Sequence, residues 1–169
     1  MGGERQLVTR PATGADLAAI VAIYNHYIIT SPCTFDIEPY TTHTRQPWFG
    51  QFDGERRRCL VATDGDTVTG YACSGEFKTK PAYRTSVEVS VYVAHDARHG
   101  GIGTALYSAL FDALRGSGAH RAYAGITQPN EASMALHRRF GFHDVGVYRE
   151  VGYKFDRYWD VAWLERNLD

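Results

Sequence analysis

The stretch VEVSVYV, residues 87–93, runs through AHDA into RHGGIGTA, residues 98–105, and sets a carboxylate ahead of a glycine-rich turn. Valine fills every odd position of that stretch, so strand alternation turns Glu88, Ser90 and Tyr92 to the opposite face. A carboxylate on a half-exposed strand is ordinarily just solvated. Glu88 stands out because its strand leads directly into the turn, and ligands of sheets with strand–helix crossovers gather near such junctions. The turn lacks the lysine of a P-loop, Thr104 following Gly103 directly, and Leu106 stands where a dinucleotide fingerprint needs its third glycine. Two readings remain: a tight turn required for packing, and a cradle for a diphosphate. For the second, a helix start offers unpaired amides and the positive end of its dipole, with Arg98 as a charged donor at the rim.

Other reactive residue types are scattered. Cys33, Cys59 and Cys73 lie far apart and without C-x-x-C spacing, which argues against a disulfide framework or a zinc site and for a reducing compartment. His95 and His99 have H-x-x-x-H spacing, but they fall in the turn before the glycines, with no glutamate after His95 and no third ligand nearby. They read as solvent-facing histidines, and no metal is expected.

The elements that must position these groups are legible in outline. A chain of 169 residues, 44% apolar and 22% charged, without repeats or low-complexity linkers, reads as one globular domain spanning 1–169. Its net charge of −1 and the lack of a basic stripe beyond Arg56-Arg57-Arg58 argue against nucleic acid as the main partner. The start MGGERQLVTRP has no signal-peptide core, and Gln6 stands where myristoylation wants Ser or Thr. LAAIVAIY, residues 17–24, is too short to cross a bilayer, so a cytoplasmic protein without membrane contact is expected.

A first strand is expected over 7–13. Asp16 should cap a helix whose Leu17, Ile20, Val21, Tyr24 and Ile28 share one face. A loop over 31–43 and a helix over about 44–53 follow. RCLVATD and TVTGYACSGEF flank a DG turn, and a loop over 78–84 precedes the strand at 86–93. The helix after the glycines aligns Leu106, Leu110, Ala113 and Leu114. A strand at 120–126, a short helix from Pro129-Asn130 to Arg139 and two closing strands, FHDVGVY and FDRYWDVAWLE, complete a mixed α/β chain.

Arg98-x-x-Gly101-x-Gly103 after a valine-rich strand, with Asn130, His137 and Phe140-Gly141-Phe142 downstream, resembles the GCN5-related N-acetyltransferase (GNAT) superfamily. IYNHYI (23–28), Thr34-Phe35, GYACSGEFK (70–78), EVSVYV (88–93) and GYKFDRYWDV (152–161) extend the likeness over nearly the whole chain, to the phosphinothricin and methionine sulfoximine acetyltransferase group. The resemblance implies an α/β GNAT fold: a mixed, mostly antiparallel twisted sheet of six to seven strands with about four helices. The sheet should splay at the cofactor site, with a bulge that breaks the valine alternation. It further implies acetyl-CoA as co-substrate, a small amino-acid-like acceptor such as phosphinothricin, methionine sulfoximine or methionine sulfone, and a homodimer.

Acetyl transfer to an amine needs a base for the ammonium proton, a donor for the thioester oxygen and an acid for the departing thiolate. By resemblance Glu88 is the general base. A backbone amide within Val91, Tyr92 and Val93 stabilises the oxygen, and that edge holds the pantetheine. His99 to Thr104, namely His99, Gly100, Gly101, Ile102, Gly103 and Thr104, take the diphosphate with Arg98. Asn130 meets the pantetheine arm, and Arg139 reaches toward a phosphate. His137 stands where many superfamily members carry an acid tyrosine. Phe35, Phe77, Lys78, Tyr83 and Arg84 fall where the group lines its acceptor pocket, suiting a carboxylated acceptor that needs cations and an apolar wall. No cysteine has a histidine partner in sequence, which favours direct transfer over an acetyl-enzyme. The alternatives are acetylation of protein N-termini or other amines, which would want an open, acidic cleft, and a non-catalytic acetyl-CoA sensor, which would not need Glu88.

Overall fold

The computed structural model describes residues 7–97 and 100–169. Its strands are β1 (Leu7–Pro11), β2 (Arg58–Asp64), β3 (Thr67–Glu76), β4 (Ser86–Val93), β5 (Arg121–Thr127), β6 (His143–Lys154) and β7 (Arg157–Asn167). Its helices are α1 (Leu17–Thr30), α2 (Thr42–Phe49), α3 (Ile102–Leu114) and α4 (Glu131–Arg139), with short 3-10 turns at 14–16 and 81–83. The strands form one sheet in the order β1-β2-β3-β4-β5-β7-β6. Every pairing is antiparallel except β4 with β5. This is the α/β GNAT fold, with seven strands.

Alternation on β4 divides the molecule into two cores. Val87 and Val89 are buried, and Val91 and Val93 pack beside them, against the α3 residues Leu106, Tyr107, Leu110 and Phe111. Tyr92 turns the other way, onto the cluster that α1 makes with Val61, Tyr71 and Cys73. The β3–β4 register runs unshifted from Gly70↔Val93 to Glu76↔Val87, so the expected bulge is absent from this side and the valine alternation survives. A register shift occurs instead in β2, between Ala62 and Thr63. The opening is made by the other neighbour. β4 pairs with β5 only at Ser86↔Arg121, Val87↔Ala122 and Glu88↔Tyr123, after which the two strands part.

Three local expectations change. Asp16 does not cap α1 through its side chain; its carboxylate accepts from the Thr13 amide at 2.7 Å and from both terminal nitrogens of Arg10 at 2.7 and 2.8 Å. The Arg10 guanidinium holds the Asp16 pKa down, to about 2. The α2 helix starts earlier than its apolar pattern, because Thr41 supplies the cap by accepting from the Thr44 amide at 3.1 Å. The last two strands form one long hairpin, closed by Phe155-Asp156 with both φ angles positive, 54° and 57°. Phenylalanine rarely adopts that conformation, so no glycine or asparagine marks the turn in the sequence.

Candidate active site

The fork between β4 and β5 is lined by residues of both strands. Two cavities meet there, sharing Cys33, Val89, Ser90, Tyr92, Gly125 and Thr127. One, of about 300 Å³, is walled by Val91, Val93, Gly103, Tyr107, Asn130 and His137 and faces the glycine turn. The other, of about 630 Å³, is walled by Tyr24, Phe35, Arg45, Trp48, Glu88 and Trp163. Glu88 sits in the last pair before the strands separate. Its side chain is half-buried and burial pushes its pKa up, which holds a carboxylate nearer the range useful for taking a proton.

The first cavity has the features that a CoA-type ligand requires. From Val89 to Val93, β4 has no strand on its β5 side, leaving a free hydrogen-bonding edge. One carbonyl there is engaged, since the Tyr27 hydroxyl donates to Val93 O at 2.6 Å. Gly101 adopts φ +81°, where a glycine is needed, and no side chain caps α3. The first α-helical bond runs from Ala105 N to Gly101 O at 2.9 Å, and among the described residues the amides of Ile102, Gly103 and Thr104 before it have no backbone partner. Only the Ile102 backbone serves the turn, because its side chain is core. Gly100 is exposed beside it, while Arg98 and His99 lie outside the described residues. A bare helix start pointing at a free strand edge fits a diphosphate followed by an extended amide chain.

Asn130 lines the same cavity but also caps α4, its Oδ1 accepting from the Ser133 amide at 3.1 Å. Arg139 is exposed at the far end of that helix. His137 is only 3% exposed. Its Nδ1 lies 2.7 Å from the Ser133 carbonyl, which can only accept, so Nδ1 carries the proton and Nε2 accepts from the Tyr107 hydroxyl at 2.8 Å. Neither nitrogen presents a proton to the cavity. The acid role expected of His137 is therefore not what this geometry supplies; the ring fixes Tyr107 at the cavity wall.

Burial pushes the His137 pKa below its ordinary 6.5. The unfolded chain thus binds a proton that the folded chain resists, and stability is lost as pH falls through the unfolded value. Stability should drop between pH 7 and 5.5 more steeply in the wild type than in H137N, by at most about 1.4 kcal/mol per pH unit, and the melting temperature should follow it. Parallel melts of the two proteins check this.

The acceptor residues expected from sequence are not brought together. Phe35 lines the second cavity. Phe77 backs it, stacked on Tyr123 at 4.2 Å and edge-on to Trp163. Lys78, Tyr83 and Arg84 line a separate hollow of about 130 Å³ with Arg56 and Arg57. Sequence reading missed Tyr24, Arg45, Trp48 and Tyr107. Tyr24 reads as part of the apolar face of α1 and the other three carry no local signal, so only packing reveals that they face a cavity.

The loop carrying Cys33, Thr34 and Phe35 is clamped from the hairpin. Lys154 is buried and donates to Ser31 O at 3.0 Å and Thr34 O at 2.8 Å. A Cβ on Gly152 would overlap the Phe35 ring, so glycine permits that ring to lie on the hairpin. Tyr24 holds the loop's other side, donating to Asp36 Oδ2 at 2.7 Å and so accepting from Thr34 Oγ1 at 2.6 Å. K154M should orphan two carbonyls and loosen the loop, raising the acceptor KM about tenfold with the acetyl-CoA KM unchanged. Steady-state kinetics with each substrate varied in turn check it.

Among the described residues no cluster of three His, Cys, Asp or Glu could hold a metal ion, and no helix is long and apolar enough to cross a membrane. His95 stacks on His26 at 4.0 Å.

Comparison with known proteins matches residues 10–163 to the acetyltransferase (GNAT) domain. A phosphinothricin N-acetyltransferase of Streptomyces coelicolor is 54% identical, over 99% of this chain and 100% of its own. An L-methionine sulfoximine/L-methionine sulfone acetyltransferase of Pseudomonas paraeruginosa is 38% identical, over 95% and 94%. A GNAT superfamily phosphinothricin acetyltransferase from Sinorhizobium meliloti, solved in complex with acetyl-CoA, superposes with a TM-score of 0.89 at 32% identity, covering 95% of this chain and 88% of that one. The forked sheet, the uncapped helix start and these relatives agree: the chain belongs to the GNAT family and is an acetyl-CoA-dependent N-acetyltransferase.

Proposed function

We propose that residues 1–169 work as a single domain that moves acetyl directly from acetyl-CoA to the α-amino group of a small amino-acid-like acceptor of the phosphinothricin, methionine sulfoximine or methionine sulfone type, with Glu88 as general base. The observation that carries this reading is the position of Glu88, at the last β4–β5 pair and on the wall of the larger cavity, where the two cavities join. An amine entering from the larger cavity meets the carboxylate before it meets the smaller one. Glu88 removes the ammonium proton, directly or through water, and the neutral nitrogen attacks the thioester carbonyl. As the C–S bond breaks, the surplus proton on the new amide nitrogen passes to the departing thiolate, which leaves as the CoA thiol.

The free edge of Val91, Tyr92 and Val93 supplies an amide for the thioester oxygen as charge develops there, and holds the pantetheine together with Asn130. Amides from His99 to Thr104, with Arg98, take the diphosphate, and Arg139 reaches toward a phosphate. When bound, acetyl-CoA contributes the activated acyl group. An acetyl-enzyme has little support. Cys33 lines both cavities, but burial pushes its thiol pKa up, and Cys59 and Cys73 are buried.

All three cysteines are unpaired, in keeping with a reducing cytoplasm. The hairpin exposes Val145, Tyr148, Val151, Tyr153 and Tyr158, an apolar surface that suits a second copy and supports a homodimer measurable by sedimentation. The deciding experiment offers acetyl-CoA with a panel of amino-acid analogues, amino-acid amides and N-terminal peptides, and follows thiol release. Turnover of the free amino acids is expected. Turnover confined to peptides would move the acceptor class.

A further inference from the structure

Among the described residues, the larger cavity contains a cation without a counterion. Among the described residues Arg45 is its one positive side chain, alongside Glu76 and Glu88. The guanidinium carbon of Arg45 lies 4.6, 4.5 and 4.2 Å from the ring centres of Tyr24, Tyr40 and Trp48. Ion pairs elsewhere in the molecule use Arg10, Arg57, Arg115, Arg121, Arg138 and Arg149; among the described residues no carboxylate comes within 4.0 Å of Arg45. Three aromatic faces hold the charged plane in place but accept none of its five N–H bonds along the lone-pair directions an oxygen would offer.

Glu88 does not neutralise it. The Glu88 pKa is raised by burial, with no cation contributing, although the Cys73 thiol feels both charges. Arg45 and Glu88 therefore face one cavity as separate, unpaired groups of opposite sign. That arrangement complements a molecule bearing an ammonium and an oxyanion. The cation found here stands in place of Lys78 and Arg84, which line another hollow.

We propose that Arg45 is the oxyanion grip of the acceptor cavity, and that it restricts this enzyme to acceptors carrying an anionic group beside the amine. The proposal rests on the amino-acid reading of the acceptor. The shared chemistry is a carboxylate or phosphinate taken by the guanidinium fork, with the rings beneath fixing its plane.

The test uses R45Q and R45K with three acceptors: methionine sulfone, whose single anion is its carboxylate, its carboxamide, which has none, and phosphinothricin, which has two. In R45Q the KM for methionine sulfone should rise about 30-fold, as expected for loss of a charge-assisted pair. The acetyl-CoA KM should stay within about twofold, and the wild-type preference for acid over amide should collapse. An effect on phosphinothricin alone would assign the phosphinate as the held group and supports the proposal. An acid-to-amide preference that survives in R45Q while phosphinothricin is also unaffected overturns it.

R45K keeps the charge and stem while losing the fork, so an intermediate KM is expected; it also serves if R45Q fails to fold. Should the wild type turn over none of these acceptors, the amino-acid reading falls separately. Quenching of tryptophan fluorescence by methionine sulfone, with Trp48 and Trp163 both lining the cavity, then tests Arg45 without turnover. Binding in the wild type that R45Q loses supports the grip, and no binding in the wild type overturns it.

Discussion

Replacing Glu88 by Gln should lower kcat by about 10²–10⁴-fold, the range that a positioned general base supplies, and leave acetyl-CoA affinity unchanged. The amide keeps the shape of the side chain at the fork and cannot take the ammonium proton. The pH profile carries the same information. Because burial raises the Glu88 pKa above its ordinary 4.5, wild-type kcat/KM should fall as pH drops through that raised value, and the limb should vanish in E88Q. The sign for stability is opposite. A carboxyl whose folded pKa is raised costs stability above that pKa, so E88Q should melt no lower than the wild type at neutral pH. Calorimetric binding of acetyl-CoA, stopped-flow turnover and thermal melts separate the three statements. Normal turnover in E88Q would remove the base and, with it, the proposed mechanism.

The second large effect is expected at Gly101. Its φ of +81° sets the turn into α3, whose Gly103 lines the smaller cavity, and proline, locked near −65°, cannot take that conformation. G101P should weaken acetyl-CoA binding about 100-fold, since backbone strain of this kind costs about 1–3 kcal/mol and the redirected amides lose the diphosphate besides. Among the described residues, nothing beyond its chain neighbours and the adjoining helix backbone lies within 4 Å of a Cβ at this position, so the substitution adds no overlap with the core. Gly54 has nearly the same φ, +80°, in a turn outside both cavities. G54P should therefore pay a similar backbone penalty while binding acetyl-CoA within about twofold of the wild type. Equal loss in both variants would mean that global destabilisation, not the cradle, governs affinity.

Local signals in the chain named most of its elements. β2 and β3 were legible because Gly65 takes the positive φ of a tight turn between two apolar runs. α4 announced both its ends, Asn130 by capping and Gly141 by its φ of +79°. Where the signal was weak the boundaries moved: the β6–β7 turn carries Phe155, and α2 took its start from a threonine cap rather than from apolar spacing.

What the sequence by itself determined about this protein is its alternations, its caps and the bare glycine turn, because each depends on neighbours a few residues away. Glu88 and the amides of Ile102 to Thr104 were found that way. Tertiary structure alone decided where β4 and β5 part, that His137 would hold Tyr107 across two helices, and that Arg45 rather than Lys78 or Arg84 would face the larger cavity. Those outcomes depend on strands and helices far apart in the chain meeting at one fork. A cation on a polar helix carries no local mark of the empty space it will confront, so periodicity names the elements and packing chooses the site.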